Sequence, residues 1–596
     1  MATATSTQTD KDLASIGEAR ALARRARAAQ AVLAEFSQGQ IDAIVDAMAA
    51  AVRPHVEALA RLAVEETGFG VVADKVQKNL FAANRVHAFI KPMTTVGVVR
   101  RDDVKKVIEI AEPFGVVAAI VPSTNPTSTA IYKLLICLKA RCAVVVSPHP
   151  SAARCITRTV EVMLEAARAA GLPDGAIGCM STVTIEGTQE LMKAREVSVI
   201  LATGGMGLVR AAYSAGKPAY GVGPGNAPCY IESTADVAKA ARDIVDGKSF
   251  DNGVLCSSPN SVVVDRAVDE ETRRAFVTCG GHFLKGPEAD SLAKALITPQ
   301  RLPNPALVGK SAAHIAQAIG VTVPPGTRAL LVELNGVGRD FPLSIEKLCP
   351  VLSYYVVSDW REGCERCKDI LRYGGMGHTM SIHSRNEAVI LEFGLHKPAY
   401  RIVVNTSTSH GSIGLTTGLD PAMTLGCGGF GGNITSDNIT PRHLLNIKRL
   451  AYGLQDVAAA MGRPPVPAGH TTSAPPVDKA PTPAPVPGLP RAPSKPTADP
   501  VSAEALSARI DQFLASRGVS KPGGSTPTTS SSAPMTTAAT PPARPATPVE
   551  FVCEDDVRLA RREGRTILVN ERTIITPAAR DAGDEHHIFV WEGLRS

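Results

Sequence analysis

Short apolar runs that alternate with helical stretches are the feature that most constrains the fold of this chain. One apolar run spans residues 115–121, a helical stretch covers 129–141, and a second apolar run follows at 143–146. Such spacing is typical of strand–helix–strand units whose strands lie parallel in one sheet, so the pattern predicts an α/β fold. Long alanine-rich helices are expected between residues 11 and 67, and further strands at 197–201, 261–264, 329–334 and 401–405.

Length and charge exclude several classes of protein. A chain of 596 residues is too long for one core, so several structural units are expected. The net charge of +6 is small for this length, and no basic stripe interleaved with aromatic residues argues for a nucleic-acid partner. We find neither a signal-peptide pattern nor an apolar run of membrane-spanning length, so we expect an intracellular protein without a membrane partner.

The cysteines follow neither a disulfide framework nor a zinc-binding pattern. Cys364 and Cys367 form the only C-x-x-C pair, and one pair lacks the four ligands of a structural zinc site. We therefore expect reduced thiols on a helix, a reducing cytosol and no metal site.

The composition changes abruptly after residue 462. Residues 463–501 and 519–549 are dominated by Pro, Ala, Thr and Ser, and they are expected to be extended linkers because they cannot bury enough apolar surface. The last segment is compact and charged, and it is too small to have much core of its own. It predicts a short helix at 555–563 and strands at 565–569 and 573–575.

The segment 502–518, between the two linkers, predicts an isolated amphipathic helix. Leu506, Ile510, Phe513 and Leu514 fall at i, i+4, i+7 and i+8, on one helical face. A lone helix of this length is marginal in water, so its apolar face needs a partner. It either folds back on the rest of the chain or docks on another protein, and we favour docking.

Cys256 lies on a polar, glycine-containing loop directly before the apolar run at 261–264. A thiol on a loop beside a rigid sheet is accessible to substrate, and nearby amides can hold its thiolate. Most free cysteines are instead inert residues packed in cores. Taken alone, Cys256 is therefore open to both interpretations.

Five segments of the chain together carry a family resemblance. They are V-P-S-T-N-P-T-S at 121–128, I-L-A-T-G-G-M-G at 200–207, G-V-G-P-G-N-A-P at 221–228, E-K-L-C-P-V-L at 346–352 and T-L-G-C-G-G at 424–429. In this order and spacing they resemble the aldehyde dehydrogenase superfamily, and in particular its CoA-acylating branch, which includes enzymes of bacterial microcompartments. The resemblance covers residues 12–460.

The resemblance implies an aldehyde dehydrogenase-like fold with a Rossmann-like cofactor domain, an α/β catalytic domain and an oligomerisation β-arm. The expected segments are the N-terminal helices and dinucleotide-binding domain at 1–248, the catalytic domain at 249–426, the return segment and arm at 427–462, linkers at 463–501 and 519–549, the amphipathic helix at 502–518, and a small C-terminal module at 550–596.

The resemblance also assigns catalytic roles. Cys256 would add to an aldehyde carbonyl and carry the acyl group as a thioester, while Asn125 and the backbone N–H of Cys256 would donate hydrogen bonds to the oxyanion. Asn125 could otherwise be a turn residue before a proline. His378, in G-G-M-G-H-T at 374–379, would accept the proton of the CoA thiol, or would only shape the pocket.

NAD is the cofactor that the resemblance implies. The glycine turn at Thr203, Gly204 and Gly205 would let backbone amides approach the pyrophosphate. Glu346 would hold the nicotinamide ribose, although a surface position is the alternative. Further cofactor contacts are expected from Pro122, Ser147 and Gly225.

Two departures from hydrolytic members of the family affect the second half of the reaction. Val222 stands where those members have the glutamate that activates water, so a thioester on Cys256 would persist until an external thiol, coenzyme A, attacks it. The lysine expected after a V-V-M strand is also missing, since Ser147 stands in that stretch. A choice between NAD and NADP therefore cannot be inferred here.

The resemblance implies the conversion of a short aliphatic aldehyde, propionaldehyde or acetaldehyde, to acyl-CoA by a homodimer or homotetramer. The segment at 502–518 resembles encapsulation peptides, and 550–596 resembles a short module of microcompartment-associated enzymes. We therefore expect contact with shell proteins or other cargo enzymes in the lumen of a bacterial microcompartment. The alternatives are a hydrolytic dehydrogenase that releases a free acid, and an assembly or scaffold protein built on an enzyme body.

Overall fold

A computed structural model describes residues 3–462 and much of 549–591, without 550, 553, 571–572, 576–578, 581 and 584–585. The chain divides into two compact units, Met1–Gly469 and His470–Ser596. The helix predicted at 502–518 and the linkers predicted on either side of it lie outside the described residues, apart from residue 549. Along the described residues, no helix has the length and apolarity needed to cross a membrane.

The secondary structure of the first unit alternates strands and helices through most of its length, as the sequence predicts. The strands are β1 Gly97–Asp102, β2 Val107–Pro113, β3 Val116–Val121, β4 Ala143–Pro148, β5 Ile177–Cys179, β6 Val197–Thr203, β7 Ala219–Val222, β8 Ala227–Ile231, β9 Pro259–Asp265, β10 Gly281–Leu284, β11 Ala329–Glu333, β12 Val351–Val357, β13 Gly377–His383, β14 Ala399–Val404 and β15 Leu445–Ala451. The helices are α1 Thr3–Leu33, α2 Gln38–Val52, α3 Val56–Thr67, α4 Val72–Leu80, α5 His87–Ile90, α6 Pro126–Lys139, α7 Ala153–Ala169, α8 Ile185–Lys193, α9 Met206–Tyr213, α10 Val237–Ser249, α11 Asp269–Thr278, α12 Pro287–Leu296, α13 Ala312–Ala318, α14 Trp360–Tyr373, α15 Glu387–His396, α16 Thr408–Gly411 and α17 Val457–Ala460.

The first parallel sheet has the strand order β5-β4-β3-β6-β7. Every residue of β3 and of β4 is buried, because apolar clusters cover both faces of this sheet. Continuous apolar strands are typical of parallel sheets covered by helices on both faces. Strands β4 and β5 lie on one side of β3, whereas the later strands β6 and β7 lie on its other side, so the strand order reverses between β3 and β6. Ligands of α/β sheets bind at the carboxyl ends of the strands near such a reversal.

The second sheet is also parallel and has the order β10-β11-β12-β9-β8-β13-β14. It begins with β8, which pairs along β9, and α10 packs against both strands. The second sheet therefore starts near residue 227, before the predicted boundary of 249. The loop that carries Cys256 lies between α10 and β9, within this layer.

A third, antiparallel sheet has the order β1-β2-β15. Its third strand comes from the return segment that the sequence predicts at 427–462. The first two strands come from a hairpin near residue 100, so the expected arm draws on two distant parts of the chain. Most residues of β15 are exposed.

The second unit contains a small core of its own. Helix α18, Glu554–Glu563, lies between β16 Phe551–Val552 and β17 Ile567–Val569, followed by β18 Ile574–Ile575 and β19 Phe589–Trp591. These bounds agree with the helix and the two strands predicted near residues 555–575. Strand β16 pairs with β18 and β17 pairs with β19, both in parallel.

Candidate active site

A cavity of about 650 Å³ opens at the carboxyl ends of strands β3 and β6 and reaches the loop before β9. This volume is typical of small-molecule and cofactor sites. Seven of the predicted site residues line it: Cys256, Asn125, Pro122, Thr203, Gly204, Gly205 and Glu346. The other three, Ser147, Gly225 and His378, are absent from its wall.

The loop that carries Cys256 begins with an unusual backbone turn. Asp251, Asn252 and Gly253 have φ values of 50°, 52° and 73°, so two non-glycine residues adopt the left-handed conformation in succession. Such residues persist only where surrounding contacts stabilise them. The turn is followed by Cys256, which is half-buried at the cavity wall, and then by β9.

The surroundings of Cys256 favour its neutral thiol. Burial raises the pKa of Cys256 to about 12, and the charges of Glu346 and Cys427 raise it further, while Arg401 opposes them. A thiol in this state is a weak nucleophile, because the thiolate is the reactive form. The reaction therefore requires a group that accepts the thiol proton.

Asn125 precedes α6 and is 9% exposed at the cavity wall. Its Oδ1 accepts a hydrogen bond of 2.6 Å from the ammonium of Lys78. Its Nδ2 donates to Thr124 Oγ1 over 3.1 Å, which leaves one N–H of the amide for other acceptors. The amide could therefore donate one hydrogen bond to a ligand, and the predicted role of Asn125 as an oxyanion donor stays a prediction.

A buried carboxylate, which sequence reasoning missed, holds the nucleophile loop. Asp251 is fully buried and forms ion pairs with Lys78 and, at 3.0 Å, with Lys75. The N–H of Val71 donates to Asp251 Oδ1 over 2.7 Å, and the N–H of Asp251 donates to Asp74 Oδ2 over 2.7 Å. Burial lowers the pKa of Lys78 to about 8, and Asp251 opposes this decrease. The sequence offers one signal of this ion-pair network, namely two lysines at positions i and i+3 of a short helix.

Glu346 lies at the cavity wall and accepts a hydrogen bond of 3.0 Å from the N–H of Gly225. Burial raises the pKa of Glu346 to about 8, although that N–H, Lys248 and Lys347 lower it. A side chain on Gly225 would approach the carbonyl oxygen of Cys256 to 2.1 Å. The position of Gly225 requires glycine because the backbone of Cys256 passes so close, and its predicted contact with the cofactor stays a prediction.

His378 is not among the residues that line the cavity. It is fully buried, its Nδ1 shares a hydrogen bond of 2.9 Å with Thr379 Oγ1, and its Nε2 has no partner among the described residues. Burial, followed by the charge of Arg401, lowers the pKa of His378 to about 3. This environment favours the neutral ring. The role of His378, as acceptor of the thiol proton or as a residue that shapes the pocket, stays a prediction.

The glycine turn after β6 fits a dinucleotide. Gly205 is the N-terminal cap of α9, and a side chain built on it would meet open space. Thr203 Oγ1 is buried without a hydrogen-bond partner in the part of the chain that is described. Helix N-termini with accessible amides bind phosphate groups. Ser147 instead contacts the cavity indirectly, because its hydroxyl shares a hydrogen bond of 2.9 Å with Thr188, which lines the wall.

Val222 ends strand β7 and is 2% exposed at the cavity wall. Among the described residues that line the cavity, Glu346 is the only carboxylate. A general base that activates water must lie within hydrogen-bond reach of it. The aliphatic side chain of Val222 cannot perform that task.

Comparisons with known proteins agree with this fold. A model of the aldehyde dehydrogenase family matches residues 5–287. The bifunctional aldehyde-alcohol dehydrogenase of Escherichia coli (strain K12) is 42% identical over 441 residues, which are 73% of this chain and 49% of that protein. The chain thus spans about half the length of this relative.

Two solved structures are similar over nearly their whole length. An acetylating aldehyde dehydrogenase from Geobacillus thermoglucosidasius has a TM-score of 0.74 and 48% identity, covering 75% of this chain and 98% of that one. A propionaldehyde dehydrogenase from the fucose utilisation microcompartment of Clostridium phytofermentans has a TM-score of 0.65 and 28% identity, covering 72% and 96%. The chain belongs to the aldehyde dehydrogenase family, and the fold predicted from its sequence is confirmed.

The raised pKa of Cys256 predicts a distinctive alkylation profile. With a pKa of about 12, the thiolate fraction increases about tenfold per pH unit across the range from about pH 7 to about pH 10. The rate at which iodoacetamide modifies Cys256 in cofactor-free protein should increase in parallel, as measured by mass spectrometry of its peptide. Cys256→Ala identifies that peptide by its loss of labelling. A plateau in the rate below about pH 9 would contradict the expectation.

Proposed function

We propose that this protein is a CoA-acylating aldehyde dehydrogenase that converts a short aliphatic aldehyde, NAD⁺ and coenzyme A to acyl-CoA, NADH and a proton. The observation that carries the proposal is the shared cavity of Cys256 and Asn125, with Val222 in its wall. The acetylating activity in the name of the Geobacillus thermoglucosidasius relative supports the same reaction class.

In the first half-reaction, the sulfur of Cys256 forms a bond to the aldehyde carbon, and its proton leaves to a base. The carbonyl oxygen becomes an oxyanion that accepts hydrogen bonds from Asn125 Nδ2 and from the N–H of Cys256. Loss of one such donor typically decreases the rate about 10²- to 10³-fold. A nicotinamide held near the glycine turn at Thr203, Gly204 and Gly205 would accept the hydride that leaves the former aldehyde carbon. A thioester on Cys256 remains.

In the second half-reaction, the thiolate of coenzyme A attacks the thioester carbon and Cys256 leaves as a thiolate. Val222 supports this choice of acceptor because it offers no base to a water molecule. Glu346 is a titratable group of this site. Its pKa lies near 8, so it can exist in both protonation states around neutral pH. Propionaldehyde and acetaldehyde are the substrates that we propose, in line with the names of the two structural relatives.

The proposal predicts a burst of product without coenzyme A. With propionaldehyde and NAD⁺ alone, NADH should accumulate to about one equivalent per Cys256 and then almost stop, because the thioester has no efficient acceptor. Added coenzyme A should restore continuous turnover. Stopped-flow absorbance of NADH measures both phases, and Cys256→Ala should lack both.

Equal steady rates with and without coenzyme A, accompanied by free propionate, would instead establish a hydrolytic dehydrogenase. A complete absence of NADH formation by the intact chain would favour an assembly role for the protein.

The proposal extends to assembly and location. The amphipathic helix predicted at 502–518, and the resemblance of this segment to encapsulation peptides, support docking on shell proteins or other cargo enzymes in a bacterial microcompartment. The microcompartment origin of the Clostridium phytofermentans relative supports the same context. The exposed three-stranded sheet that ends in β15 suits an arm that pairs subunits of a homodimer or homotetramer.

Deletion of residues 502–518 tests this location. Because the segment lies outside the described enzyme unit, catalytic turnover should remain within about twofold of the intact chain, while co-localisation with a fluorescent shell protein should be lost. A deletion of equal length in the linker at 519–549 is the matched control. Unchanged co-localisation after removal of 502–518 would refute the targeting role.

A further inference from the structure

We infer that Lys78 is a positioning residue, whose ammonium orients the side-chain amide of Asn125 and joins it to the loop that carries Cys256. The inference rests on the proposed function, in which Asn125 donates to the oxyanion. It depends on a buried hydrogen-bond network that extends from helix α4 to both parts of the site.

The contact between Lys78 and Asn125 determines which end of the amide faces the cavity. An asparagine amide can rotate by half a turn and exchange its oxygen for its nitrogen. The ammonium of Lys78 has only N–H donors, so it attracts Oδ1, at 2.6 Å, and repels the NH₂ group. The second N–H donor of Asn125 is therefore kept available to an oxyanion.

Lys78 itself has little freedom to move. It is 2% exposed, and the carboxylate of Asp251 holds its ammonium from the other side. A hydrogen bond to an ionised group is shorter and about twice as strong as a neutral one. The ammonium thus bridges an anionic carboxylate and the polarised oxygen of Asn125, which makes the amide N–H a better donor.

The same ammonium couples the two reacting parts of the site. Asp251 lies in the left-handed turn five positions before Cys256, and its carboxylate contacts helix α4 through Lys78, Lys75 and the N–H of Val71. Asn125 comes from the start of helix α6. Lys78 therefore fixes the oxyanion donor and the nucleophile loop against one common element.

Lys75 provides a matched comparison on the same helix. It is equally buried and also pairs with Asp251, at 3.0 Å, but its second contact is the backbone oxygen of Thr124 rather than the amide of Asn125. Replacing either lysine leaves Asp251 with one ammonium. Both replacements therefore remove one ion pair of Asp251, but only the replacement of Lys78 also removes the hydrogen bond to Asn125.

The test compares Lys78→Met with Lys75→Met in the full-length protein, assayed with propionaldehyde, NAD⁺ and coenzyme A. We expect kcat to fall about 10- to 100-fold for Lys78→Met and less than about threefold for Lys75→Met, with each KM changed by less than about threefold. Thermal unfolding of both variants measures how much the loss of one ion pair with Asp251 lowers the stability of the protein.

A double-mutant cycle with Asn125→Ala separates positioning from general structure. If Lys78 acts through Asn125, Lys78→Met should lower kcat by less than about twofold in the Asn125→Ala background. Lys78→Gln, which still offers an N–H to Asn125, should recover part of the lost kcat. If Lys78→Met does not fold, the same cycle is measured with Lys78→Gln.

Equal losses of kcat for the two lysine variants would overturn the inference, and so would an undiminished effect of the Lys78 replacement in the Asn125→Ala background. Failure of the proposed function has a different signature, because the unmodified protein would then form no acyl-CoA.

Discussion

The arrangement of the candidate site depends on one buried carboxylate, that of Asp251. It pairs with Lys75 and Lys78 in helix α4 and lies in the left-handed turn that precedes Cys256. Removal of one partner from a buried ion pair typically costs about 3–5 kcal/mol, because the other charge remains buried and unpaired. Through Lys78 the carboxylate also reaches Asn125. The proposed nucleophile and the proposed oxyanion donor are thus held by a single buried polar network.

Burial also determines which protonation state each titratable group of the candidate site favours. Burial raises the pKa of Cys256 to about 12 and that of Glu346 to about 8, and it lowers the pKa of His378 to about 3. Each group is therefore pushed towards its neutral form. Glu346 is left with the pKa nearest to neutrality, at the same cavity wall as Cys256. Val222, at the same wall, is aliphatic and provides no base to a water molecule, which is consistent with the proposed transfer of the acyl group to a thiol.

Local patterns predicted most of the fold and part of the site. The apolar runs identified β3, β6 and β9 because strands buried on both faces are continuously apolar. Motif order predicted Cys256 and Asn125 at one site, and both line the cavity. It could not show that His378 is absent from the cavity wall, because a motif does not encode the direction of a side chain. The Asp251–Lys78 pair was missed because 173 positions separate the two residues, and only tertiary packing brings them into contact.

In the proposed reaction, Cys256 carries the acyl group and releases it to a thiol. Mass spectrometry of the intact protein and its Cys256 peptide tests this step after reaction with propionaldehyde and NAD⁺, followed by a chase with either buffer or coenzyme A. We expect a propionyl mass increment on Cys256 that persists in buffer and disappears rapidly with coenzyme A as propionyl-CoA forms. A propionyl group on another residue, or equal rates of loss in buffer and in coenzyme A, would contradict it.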